Sequence, residues 1–110
     1  MEKVEKTFDN GEVFVAVLIS YGYGAGWSSW NGDYDEEMLF DPYIANLIIE
    51  DKFNYKEVEE YCEEKYPEAY LGGLSDLYVV WIPKGTQFRI SEYDGYESVE
   101  LLDKTSWLTA

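Results

Sequence analysis

Near the N-terminal end, Glu12 to Ser20 (EVFVAVLIS) form an apolar, β-branched run with almost no polar alternation. A strand with one wet face alternates, so a run of this kind reads as a strand covered on both faces, and the centre of a sheet is its expected place. It stops at Tyr21-Gly22-Tyr23-Gly24-Ala25-Gly26-Trp27, where three glycines at alternate positions predict a tight, shaped loop. The whole chain has 110 residues, room for one domain over 1–110 with a single modest core. A hydrophobic content of 46%, of which aromatic residues supply 18% of the chain, is too apolar for disorder even at a net charge of -15.

The rest of the chain alternates between helix and strand signals. Ser28 to Glu37 is rich in turn residues and acid and reads as irregular. Asp41-Pro42 is a helix entry, a cap followed by proline at the first helical position, and predicts a short helix from Pro42 to about Asp51. Asn54 with Glu57 resembles a capping box and opens a second helix that ends near Tyr66, before Pro67. Leu77 to Ile82 (LYVVWI) is a further strand, and Asp94-Gly95 is a hairpin turn between Thr86–Tyr93 and Tyr96–Leu102. That turn opposes Tyr93 to Tyr96, Ile90 to Val99 and Phe88 to Leu101, giving one apolar face. It also sets Arg89 against Glu100, a favourable pair, and Glu92 against Glu97, a like-charge pair that counts against the register. The expected fold is α+β, with a mainly antiparallel sheet of about four strands and two short helices on one face.

Charge narrows the function classes. Asp and Glu number 23 against 8 Lys and Arg, which excludes direct binding of nucleic-acid phosphates. The chain has no histidine, so Ser-His-Asp and Cys-His machinery is absent, along with the commonest metal ligand and general base. The one cysteine, Cys62, lies on the apolar side of the second helix beside two glutamates and reads as core. Asn31, Asp33 and Asp35 alternate like the first ligands of a calcium loop, but Glu36 stands where glycine is required and Pro42 where the bidentate glutamate belongs. No catalytic residue, metal or cofactor is therefore assigned. Seven consecutive apolar residues, Val13 to Ile19, are far short of a span of about 20, and acids precede them, so a soluble, cytoplasmic protein with no membrane partner is expected.

Two constellations remain. The acids Asp33, Asp35, Glu36, Glu37, Glu57, Glu59, Glu60, Glu63 and Glu64 cluster in a loop and along a helix. Acids three or four apart rise about 4.5–6 Å along a helix, compared with about 3.4 Å per phosphate on one DNA strand. Such a surface attracts basic proteins and repels nucleic acid. The alternative is a small-molecule site at the glycine loop, where Tyr21, Gly22, Gly24, Gly26, Trp27, Trp30 and the lone arginine, Arg89, would hold a planar, nucleotide-like ligand.

The stretches GYGAGWSSWN (22–31), MLFDP (38–42), YLGGLSDLYVVWIPKGTQFRISEYDGYESVE (70–100) and a terminal SWLTA resemble a family of small acidic proteins of bacteriophages and prophages. The resemblance covers nearly the whole chain and carries no functional residues over. It implies a phage origin and action in the bacterial cytoplasm, where small acidic phage proteins include inhibitors of restriction, CRISPR and other host systems. The expectation is a non-enzymatic inhibitor that binds a basic, nucleic-acid-handling host or defence protein, with the oligomeric state left open.

Overall fold

A computed structural model of the protein describes residues 2–102; the terminal SWLTA stretch lies outside them. The apolar run forms β2 (Val13–Ser20), flanked by β1 (Glu5–Thr7) and β3 (Leu77–Pro83) in an antiparallel sheet of order β1-β2-β3. Val15 faces Ile82, Val17 faces Val80 and Ile19 faces Tyr78. β2 is central, as its sequence requires. Its short partner β1, with the sequence EKT, carries no hydrophobic pattern that would announce a strand, and is exposed throughout.

Alternation along β2 divides the core in two. Ala16 and Leu18 point to one side, where α1 (Asp35–Leu39), α2 (Pro42–Ile49) and α3 (Tyr55–Lys65) supply Met38, Ile44, Val58 and Cys62. Val17, with Ile82 of β3, points to the other side, against Phe40 and against Phe88 and Val99 of the hairpin β4 (Gln87–Tyr93) and β5 (Tyr96–Leu102). The fold is α+β, with helices, a three-stranded sheet and a two-stranded sheet in successive layers.

Placing all the strands in one sheet of about four is corrected here, because β4 and β5 pair only with each other and lie over the first sheet. The cause is two-sided apolarity. The helices cover one face of β2 and β3, and the hairpin's own apolar face, Phe88 and Ile90 with Val99, needs a partner. Stacking buries both apolar faces at once, which extension of the sheet edge would not.

Local signals match well elsewhere. Asp41 Oδ1 accepts from Ile44 N at 3.0 Å and caps α2, and Asn54 Oδ1 accepts from Glu57 N at 3.1 Å and caps α3. α2 stops at Ile49, two residues before its expected end, and Asp51 then takes the left-handed conformation, φ 56°. The stretch read as irregular contains α1, whose first turn holds Asp35, Glu36 and Glu37, favourable charges at the positive end of a helix. The hairpin register is as expected at every pair, including Arg89 with Glu100 and Glu92 with Glu97. No helix among the described residues is long and apolar enough to cross a membrane.

Candidate functional site

The two acidic segments are linked through Tyr34 and Tyr66. Tyr34, just before α1, packs its ring on Tyr66 at the end of α3, 5.4 Å between centroids, and its hydroxyl donates to the carbonyl of Pro67 at 3.2 Å. Tyr66 Oη lies 3.1 Å from the carbonyl of Glu37. These contacts tie the start of α1 to the C-terminal end of α3, and a cleft of about 360 Å³ beside them is lined by Trp30, Asp33, Tyr34 and Glu68 among others. Asp33, Asp35, Glu36, Glu37, Glu57, Glu60, Glu63 and Glu64 are exposed, whereas Glu59 is half-buried. Among the described residues none of these nine acids is in an ion pair; the three salt bridges found engage Asp41, Glu5 and Glu100. Asn31 is not available to join Asp33 and Asp35 around a cation. Its amide nitrogen donates to the carbonyls of Trp27 and Tyr70, and its oxygen accepts from Tyr70 N.

The glycine loop differs from the site expected of it. Trp27 is wholly buried, and its indole donates to the carbonyl of Met38 at 3.0 Å, so its ring fills the core instead of stacking on a ligand. Gly26 is buried under the ring of Trp30, and a side chain at Gly22 would meet Asp76 Oδ2 at 2.6 Å. Those glycines serve close packing. Gly24 N donates to the carbonyl of Asp94, which ties the loop to the hairpin turn. Arg89 is exposed on the hairpin face opposite to the one that carries Ile90, and is paired with Glu100 at 2.7 Å. Its hydrogen bond and charge hold the Glu100 carboxyl below the usual carboxylate range. Of the seven residues proposed for a small ligand, Tyr21, Gly24 and Trp30 remain exposed on the loop.

Two buried acids were missed as organising residues. Glu97 is fully buried and reaches from β5 into the glycine loop. Its Oε1 accepts from Ser20 N at 2.9 Å, while Oε2 accepts from Trp27 N at 2.9 Å, Ser29 N at 3.1 Å and Ser29 Oγ. The donor-rich loop does hold an anion, and that anion is the chain's own side chain. The signal was present in the sequence: the hairpin register puts Glu97 on the apolar face with Val99. Asp41, also fully buried, completes its cap on α2 by accepting from Tyr61 and Tyr66 hydroxyls at Oδ2, and Lys65 Nζ in turn donates to Tyr61 Oη at 2.9 Å.

Burial, reinforced by the nearby Asp41 and Glu59 carboxylates, pushes the Cys62 thiol up to about 12. Burial and then the hydrogen bond to Asp41 push the phenols of Tyr61 and Tyr66 above their usual range. A thiol held this way is not a nucleophile at neutral pH. It also sets an alkaline limit on stability. With a free thiol near 9.0, the unfolded chain releases the proton first, so stability falls as pH rises above that value and the thiol's contribution levels off near 12. Urea midpoints should therefore decline between about pH 9 and pH 11, and decline less steeply in Cys62→Ala; equal slopes would contradict this placement of the thiol.

The class these features define is a small α+β protein with an unpaired acidic surface and, among the described residues, no cluster of three or more potential metal ligands. Comparison with protein-family models, curated proteins and solved structures finds no match to this chain.

Proposed function

We propose that this protein is a non-catalytic binder that occupies a basic, nucleic-acid-handling protein through its acidic surface. The observation that carries this reading is the joining of Asp33–Glu37 to the C-terminal end of α3 through Tyr34 and Tyr66, with acids on both segments that have no ion-pair partner among the described residues. Unpaired, exposed carboxylates at helical spacing present a ladder of negative charge, which steers a basic surface into contact and holds it in competition with nucleic acid. The resemblance to small phage proteins makes the partner a host or defence protein of the bacterial cytoplasm. Single exposed acids contribute little, so the effect is collective.

A pull-down from bacterial lysate tests this. One basic nucleic-acid-binding protein should be retained at about 0.05 M salt and released by about 0.5 M, because the Debye length shrinks severalfold over that range. Reversing the exposed Glu60, Glu63 and Glu64 to lysine should weaken binding by about thirtyfold without shifting the melting temperature. Unchanged affinity in that variant would sink the reading.

A further inference from the structure

A second surface lies where the glycine loop meets the hairpin turn. Tyr21 and Tyr23 of the loop and Tyr93 and Tyr96 of the hairpin turn are 50%, 70%, 76% and 42% exposed. Three of them touch across the junction, Tyr23 lying 5.5 Å from Tyr96 and 6.3 Å from Tyr93 between ring centroids, while Tyr21 packs on Tyr78 of β3 at 5.4 Å. These rings come from segments some seventy residues apart in the chain, held by the four hydrogen bonds to Glu97 and by the bond from Gly24 N to the carbonyl of Asp94. Gly95 makes the approach possible, since a Cβ there would lie 2.6 Å from Ala25 N and 2.7 Å from Gly24 N. The tyrosines are therefore set in place before any partner arrives, which lowers the ordering cost of binding.

We infer that this tyrosine end is a docking surface for arginine side chains of a basic partner. Charge selects the occupant. A net charge of -15 opposes an anionic planar ligand and opposes a second copy of the chain, while it favours a cation. Elsewhere the chain's own lysines lie over aromatic rings, at Phe40, Phe8, Trp81, Tyr61 and Tyr66; among the described residues none lies over these four tyrosines. Exposed tyrosine rings attract cations, and the planar, weakly hydrated guanidinium stacks on them better than an ammonium does. Asp94, exposed in the turn between Tyr93 and Tyr96, adds a carboxylate to the same end. The inference rests on the reading of a basic partner and assigns it a different surface from the acidic one.

Titration of the full chain with a deca-arginine and a deca-lysine peptide separates the two. The expected result is that deca-arginine binds about tenfold more tightly, and that Tyr23→Leu/Tyr93→Leu/Tyr96→Leu removes the preference, with deca-lysine affinity unchanged. No preference in the unaltered protein, or a preference that survives the triple change, would overturn the docking surface. Reversal of Glu60, Glu63 and Glu64 should lower both affinities equally; if it lowers neither, the acidic-surface reading fails while the arginine preference stands. Should the triple variant not fold, amide resonances of the unaltered protein decide: deca-arginine must shift Gly22, Gly24 and Gly95 more than deca-lysine does, and equal shifts count against the proposal.

Discussion

Replacing Glu97 with glutamine is expected to cost the fold about 3 kcal/mol, and replacing it with alanine about 4 kcal/mol, a large part of the stability of a domain this size. Four donors converge on its two carboxylate oxygens, three of them backbone N–H groups. A carboxylate is acceptor-only, so it meets all four. An amide has one oxygen and one NH₂ group, and whichever way it turns, the NH₂ faces a backbone donor. Alanine leaves the three N–H groups without an acceptor, two of them at the buried Ser20 and Trp27. Glu92 is the internal control. It opposes Glu97 across the hairpin, but it is exposed, and its acceptor role is limited to Trp30 Nε1 at 3.1 Å and Gly95 N at 3.3 Å. Glu92→Gln should cost under about 1 kcal/mol. Urea midpoints of the variants measure the difference, and equal losses at the two positions would refute this role of Glu97.

That contrast shows what could be read beforehand. The like-charge pair Glu92 and Glu97 looked like an error of register, and the register was right. A local misfit inside a well-matched hairpin marked a residue held by something distant, in this case backbone N–H groups at Ser20, Trp27 and Ser29. The glycine loop was legible as a donor-rich turn after a buried strand, and illegible in its occupant, because a ligand from seventy residues away leaves no trace in local spacing. Stacking of the hairpin on the sheet was hidden for a related reason. The two-sided apolarity of β2 demands two covers, but periodicity does not say which segment provides the second. Trp27 shows the same limit, since an aromatic after a glycine turn has the same pattern whether its ring faces solvent or, as here, donates to Met38 in the core. Caps were legible because they are local: the Asp41-Pro42 and Asn54 signals depend on residues within one helical turn.

Asp41 is where a legible cap turns out to carry a second load. Its Oδ1 caps α2 through Ile44 N, and its Oδ2 accepts from the hydroxyls of Tyr61 and Tyr66, with Lys65 Nζ 3.7 Å away. Asp41→Ala removes the cap, worth about 1 kcal/mol, and strips two tyrosine hydroxyls of their acceptor, for a total of about 3 kcal/mol. Asp41→Asn should cost about half of that. Asparagine caps as well as aspartate does, and a hydroxyl can turn to accept from an amide NH₂, though without the charge that strengthens the bond. Tyr66→Phe on either background completes a double-mutant cycle, in which a coupling of about 1 kcal/mol between positions 41 and 66 is expected and additivity would refute it. The consequence reaches the acidic surface, because Tyr66 also stacks on Tyr34 and sits against the carbonyl of Glu37. The buried acid thus reaches the acidic segment at one point: its bond from Tyr66 fixes the ring on which Tyr34 stacks and the hydroxyl that lies against the Glu37 carbonyl.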